Sequence, residues 1–120
     1  MVPPLPRSAP MRKGAAMVPL VSRDDYLALL QSGGSLLAQL EAPWCGDCHE
    51  ALPQLDAIAQ RYGNELTVLR MDADTDPRLR DEFQLQGYPT YVFVEQGVVT
   101  ASCLGEPEFG LARLVEILVP

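Results

Sequence analysis

From Met17 to Pro120 the apolar positions switch repeatedly between a spacing of two and a spacing of three to four, so strands and helices are predicted in alternation. Met1 to Ala16 shows no such period and holds four prolines. This leading segment is expected to be a disordered or extended tail, or an added remnant, with one domain over residues 17–120. Val18 to Val21 reads as a short edge strand, because Pro19 has no ladder donor and is tolerated only at edges and bulges. Ser22 with Asp25 three positions on resembles a capping arrangement for a helix whose stripe is Tyr26, Leu27, Leu29 and Leu30, stopped by Gly33 and Gly34. Ser35 to Leu40 is the near-continuous apolar run of a strand covered on both faces. Leu52, Leu55, Ile58, Ala59 and Tyr62 then mark one face of a long helix closed by Gly63, and Pro53 predicts a kink about one turn after Cys48.

Further along, Leu66 to Met71 reads as a second buried strand, and Asp76 and Pro77 as the cap and first turn of a helix reaching Gln84. Tyr91 to Val94 and Val98 to Ala101, joined through Glu95, Gln96 and Gly97, form a predicted hairpin. A last helix is expected to start near Pro107 and to carry Leu111, Leu114, Val115 and Leu118. The order predicts an α/β fold, a central mixed sheet with helices on both faces.

Composition narrows the function. The 120 residues are 48% hydrophobic and 21% charged, which suits one core. Nine basic residues face 16 acidic ones, a formal charge of −7, and Arg7, Arg12 and Lys13 all lie in the leading segment. So negative a domain repels phosphate backbones and anionic headgroups, which argues against nucleic acid and membrane as partners. No apolar run approaches the roughly 18 residues that would cross a bilayer. After Arg12 and Lys13 come Gly14, two alanines and Pro19 rather than the apolar run of an export signal, so the cytoplasm is the expected compartment.

Three cysteines are too few for a disulfide-stapled scaffold. Cys103 stands alone in an apolar setting and is expected to be a small buried residue. Cys45 and Cys48 are different. Residues three apart at a helix start have Cβ atoms roughly 5–6 Å apart, close enough to open and close a bond with little backbone motion. So small a loop stabilises little, which leaves redox chemistry as its purpose. The attacking species is a thiolate, and the free amides and positive end of a helix lower a cysteine pKa from about 8.5 toward neutrality. Cys45 in the first turn is placed as nucleophile and Cys48, one turn inside, as the resolving thiol.

The string Trp44-Cys45-Gly46-Asp47-Cys48, Pro53 five residues later, Tyr88-Pro89-Thr90 before a hairpin and Gly105 after the last strand resemble the thioredoxin family, and the resemblance runs in order from Met17 to the C-terminus. It implies a protein-disulfide reductase, monomeric and free of bound cofactor and metal. Its partners would be disulfide-containing proteins and a separate reductase that regenerates the dithiol. It also implies that Pro89 follows a cis peptide bond against the cysteine pair, with the backbone at Tyr88 pairing with substrate, and that Trp44, Gly46 and Gly105 belong to the same contact surface. A cis bond costs least before proline, so the expectation is physically allowed.

Three departures from the family pattern bear on the chemistry. Asp47 stands where a proline is usual, and its charge opposes a second negative charge on Cys45. Gln39 stands where the family buries an aspartate, and an amide is no base near neutral pH. Glu41, two residues on and on the same strand face, is a substitute expected at the solvent edge, while Arg70 matches the lysine that partners that aspartate.

Other readings compete. Cys45, Cys48 and His49 spell the C-x-x-C-H attachment string of a c-type haem, which the surrounding strand and helix order disfavours. Zinc would need a fourth ligand. His49 is expected on the surface of the active-site helix, where its charged form would help a thiolate. A thioredoxin-fold binding module using Trp44 and Tyr88, with incidental cysteines, is the remaining alternative. Asp72, Asp74 and Asp76 are read as a solvated loop and helix cap rather than a cation site.

Overall fold

The computed structural model describes residues 18–119, so the expected tail over 1–16 lies outside the described residues. The elements run α1 (Arg23–Gln31), β1 (Ser35–Glu41), α2 (Gly46–Glu50), α3 (Leu52–Arg61), β2 (Thr67–Asp72), α4 (Pro77–Phe83), β3 (Thr90–Glu95), β4 (Val98–Leu104) and α5 (Leu111–Leu118). The four strands form one sheet in the order β2-β1-β3-β4, with β1 parallel to β2 and antiparallel to β3, and β3 antiparallel to β4.

Strand alternation sorts the core into two halves. Leu36, Ala38 and Leu40 of β1 face one way and pack with Tyr26 and Leu29 of α1 and Leu79 of α4. Leu37 faces the other way and packs with Leu55 and Ile58 of α3 and Leu111 and Val115 of α5. Both faces of the mixed sheet are therefore covered by helices, as the apolar run of β1 requires. No described helix is long and apolar enough to cross a membrane.

Local chemistry explains the element ends. Ser22 and Asp25 form a reciprocal capping box at α1, and Asp76 caps α4 ahead of Pro77. Gln96 and Gly97 both have positive φ, 51° and 80°, the handedness that a two-residue hairpin turn needs to match strand twist. Glu95 belongs to β3 rather than to the connection.

Four further expectations need correction. Val18 to Val21 forms a single parallel bridge, Leu20 to Arg70, instead of a strand. Pro19 contributes only its carbonyl, accepting from the Arg70 N–H at 2.9 Å, and the ladder stops there. The long helix is broken rather than kinked. It turns at Ala51, and Pro53 sits in the first turn of α3, where the missing N–H costs nothing. Gly63 does not end α3 through a left-handed conformation; a Cβ there would lie 3.0 Å from the Ala59 carbonyl, so close approach is its reason. Helix α5 starts at Leu111, after Gly110, and Pro107 lies in the preceding turn.

Candidate active site

The C-terminal end of β1 delivers the chain into the turn Ala42 to Trp44, whose Cys45 N–H donates to the Ala42 carbonyl at 3.1 Å. Cys45 is the N-cap of α2, with extended backbone, and is bonded to Cys48 across a Cα separation of 5.3 Å. Its Sγ accepts the Cys48 N–H at 3.1 Å. A cap position normally holds an oxygen acceptor for this amide, and here a sulfur takes the place. Because the helix ends at Glu50, the effect expected of a long dipole reduces to this one aimed N–H and its neighbours. Cys45 is 5% and Cys48 1% exposed, and both pack with Ala42 and Tyr88.

Around the pair lies a set of groups from distant parts of the chain. The Tyr88-Pro89 peptide bond is cis, as the resemblance implied, and Pro89 is buried. Tyr88 meets Trp44 edge to face with ring centroids 5.6 Å apart. Trp44 is 69% exposed, so it is a surface ring and not core, and Asp74 holds it by accepting the indole N–H at 3.0 Å. Gly105 has φ of 75° and donates its N–H to the Pro89 carbonyl at 2.7 Å, which lets β4 turn away beside the cis proline. Gly46 differs in kind. A Cβ there would meet nothing within 4 Å, so the fold does not demand glycine, and its absence of side chain leaves the approach to Cys45 open.

Beneath the cysteines one row of the sheet carries the departures. Arg70, Gln39, Tyr91 and Cys103 are register partners across β2, β1, β3 and β4. Gln39 is fully buried. Its amide donates to the Cys48 carbonyl at 3.2 Å and to Glu41 at 3.0 Å, and its oxygen accepts the Tyr91 hydroxyl at 2.8 Å. Burial and then the Glu106 charge push the Tyr91 phenol's ionisation upward, so it is a donor at all ordinary pH. Glu41 is not at the solvent edge. It is 5% exposed and receives the Arg70 guanidinium at 3.2 Å on one oxygen and 3.3 Å on the other. The carboxylate has moved two residues along the strand and taken an arginine partner, while the position under Cys48 has become neutral.

The remaining expectations divide. His49 is exposed, as expected, and its Nε2 lies 3.1 Å from the Pro43 carbonyl, a donor role that requires the proton on that nitrogen. The two sulfurs that a haem thioether would occupy are bonded to each other. Asp47 is exposed within the loop of the pair. Asp72 accepts the Asp74 and Thr75 N–H groups and Asp76 caps α4, so two of the three loop carboxylates are used in turns and Asp74 holds Trp44. Cys103 is half-buried instead of buried, its thiol 3.2 Å from the Gly105 carbonyl. Sequence reasoning missed Tyr91 and Asp74. Tyr91 left a trace, a hydroxyl-bearing residue in an otherwise apolar strand, but its partner depends on register. Asp74 left none.

Comparison with known proteins agrees with this geometry. The family model for thioredoxin matches residues 17–116. The chain is 38% identical over 110 residues to the bifunctional thioredoxin reductase/thioredoxin of Mycobacterium leprae, covering 90% of this chain and 24% of that protein. It is 31% identical over 90 residues to the chloroplastic thioredoxin X of Arabidopsis thaliana, covering 75% of this chain and 50% of the relative. The chain thus spans half or less of the length of these two curated relatives. The crystal structure of the germline-specific thioredoxin Deadhead of Drosophila melanogaster superposes with a TM-score of 0.76 at 27% identity, over 86% of this chain and 100% of that one. With matched sequence, the same sheet and helices, and a bonded cysteine pair at the cap of α2, the chain belongs to the thioredoxin family.

Proposed function

We propose that this domain is a thiol-disulfide oxidoreductase working in the reducing direction on protein disulfides. The observation that carries the reading is the bonded Cys45 and Cys48 pair at a helix cap, with the Cys48 N–H aimed at the Cys45 sulfur and an uncrowded surface at Gly46. In the reduced protein the Cys45 thiolate attacks one sulfur of a substrate disulfide, forming a mixed disulfide and expelling the other substrate sulfur as a thiolate. The Cys48 thiolate then attacks the Cys45 sulfur, joining the pair and releasing the second substrate thiolate. Two electrons pass to the substrate, and the protons lost by the two cysteines match those its thiolates take up. Every atom that changes bonding is a sulfur of the chain or of the substrate.

Trp44, Tyr88, Pro89, Gly46 and Gly105 form the contact surface for the extended substrate segment. Gln39, Glu41 and Arg70 set the polarity beneath Cys48, and Asp47 and His49 the charge around Cys45. The oxidised pair is returned to the dithiol by a separate disulfide reductase, a pairing consistent with the relative whose name joins thioredoxin reductase to thioredoxin. The protein acts as a monomer in the reducing cytoplasm, where such a pair stays available as dithiol.

The test combines trapping with a potential. Cys48→Ser is expected to accumulate mixed disulfides through Cys45, and Cys45→Ser to abolish both trapping and turnover. Equilibration with a glutathione buffer is expected to place the pair well below the glutathione couple. Turnover in Cys45→Ser rejects the assignment, and a potential well above that couple makes the domain an oxidant or isomerase.

A further inference from the structure

A groove of about 630 Å³ lies between Asp47, Glu50 and Gln54 of α2 and α3 and the loop of Tyr88 and Pro89, and it reaches Leu104 at the end of β4 and Glu106 after it. Tyr88 belongs both to this groove and to the cluster that packs the two sulfurs, so the groove adjoins the cysteine pair. Its ionisable edge is of one sign. Asp47, Glu50 and Glu106 line it, all three are exposed, and among the described residues no Lys, Arg or His does.

Among the described residues no side-chain cation neutralises these charges. Four other carboxylates have arginine partners: Glu41 with Arg70, Glu82 with Arg23, Asp76 with Arg78 and Glu116 with Arg113. Among the described residues, Asp47, Glu50 and Glu106 enter no ion pair, and each arginine is engaged elsewhere. Arg61 reaches Glu116, and Arg80 donates to the carbonyls of Ala73 and Asp74. His49 is turned to the Pro43 carbonyl. At the groove floor, the Tyr91 phenol's resistance to ionisation includes contributions from Glu106 and Asp47, so their field reaches the interior of the groove.

We propose that Glu50 and Glu106, with Asp47, determine substrate specificity, selecting protein disulfides whose reacting cysteine is flanked within a few residues by lysine or arginine. The proposal rests on the reductase reading and names its substrate class. A cationic segment is drawn into a groove of one sign and an acidic one is repelled, an effect carried mainly by the association rate and weakened by salt. The same field disfavours anionic low-molecular-weight disulfides.

The experiment uses the full chain in its reduced form and three peptides that share one disulfide, flanked by Lys and Arg, by Ser, or by Glu. At low ionic strength kcat/KM for the basic peptide is expected to exceed that for the acidic one by about tenfold or more, falling toward unity as salt is raised. Glu50→Gln with Glu106→Gln is expected to shrink that ratio severalfold. Glu65→Gln with Glu95→Gln removes the same charge from exposed sites at the opposite end of the sheet and is expected to preserve it. Reduction of all three peptides at equal rates overturns the specificity while leaving the reductase reading intact. A ratio that falls equally in both double variants also overturns it, because net charge then suffices. Failure to reduce any peptide removes the reading on which the proposal rests.

Discussion

The Gln39 amide donates to the carbonyl of Cys48 at 3.2 Å, so α2 is tied to the centre of the sheet by a neutral group directly beneath the resolving cysteine. The same amide donates to Glu41, and its oxygen takes the Tyr91 hydroxyl. All of these groups are shut away from water. Removing one member therefore strands another, and the cost of a stranded buried polar group exceeds the worth of the bond itself.

Tyr91→Phe tests the network at its simplest point. It leaves the Gln39 oxygen without a donor and is expected to destabilise the domain by about 1–3 kcal/mol in urea unfolding. Gln39→Leu strands the Tyr91 hydroxyl, takes a donor from the Cys48 carbonyl and leaves Glu41 with Arg70 alone, and it is expected to cost at least about 2 kcal/mol. Combined, the two changes are expected to cost less than their sum by about 1 kcal/mol, since Tyr91→Phe has nothing left to strand. Strict additivity would show that the hydroxyl and the amide are not coupled.

Glu41 and Arg70 make a sharper case, because one partner is 7% and the other 16% exposed at the side chain. Arg70→Met leaves a buried carboxylate without its cation and is expected to cost about 3–5 kcal/mol. Adding Glu41→Gln removes that charge and is expected to recover more than half of the loss. If Arg70→Met alone unfolds like the parent protein, water reaches Glu41 and the pair has no structural weight.

These two examples show what the chain alone makes legible. The strands, the capping box at Ser22 and the cysteine pair follow from spacing and residue type, which are local. That Gln39 and Glu41 share a face follows from period two. Burial of Glu41 does not, because a carboxylate at a strand end is normally solvated, and only the register of β1 against β2 places Arg70 beside it. The break at Ala51 was half visible. Pro53 announces a disturbance, but whether a proline kinks one helix or opens a second depends on whether packing holds the two arms together.

Asp47 lies in the first turn of α2, within the ring closed by Cys45 and Cys48. Its charge opposes the thiolate that the Cys48 N–H favours. Asp47→Asn, which removes the charge and keeps the backbone N–H at the helix start, is expected to shift the Cys45 titration downward. Thiolate absorbance followed against pH checks this. No shift would mean that solvent screens the carboxylate completely.

Alkali should reveal a weakness far from the cysteines. Tyr26 is buried against Phe83, ring centroids 5.8 Å apart, and its ionisation is pushed up to about 12, first by burial and then by the nearby Glu82 charge, with Arg23 pulling the other way. A free tyrosine ionises near 10. The folded state therefore holds the proton more tightly than the unfolded state, so stability due to this group is complete below pH 10 and drains away as pH rises through 12. The loss is on the order of 2 kcal/mol by the upper end of that range. Tyr26→Phe keeps the ring contact and has no proton to lose, so its unfolding free energy is expected to stay flatter between pH 10 and 12 than that of the parent. Denaturant titrations at intervals across this window measure the difference, and parallel declines in the two proteins would assign the alkaline loss to other groups.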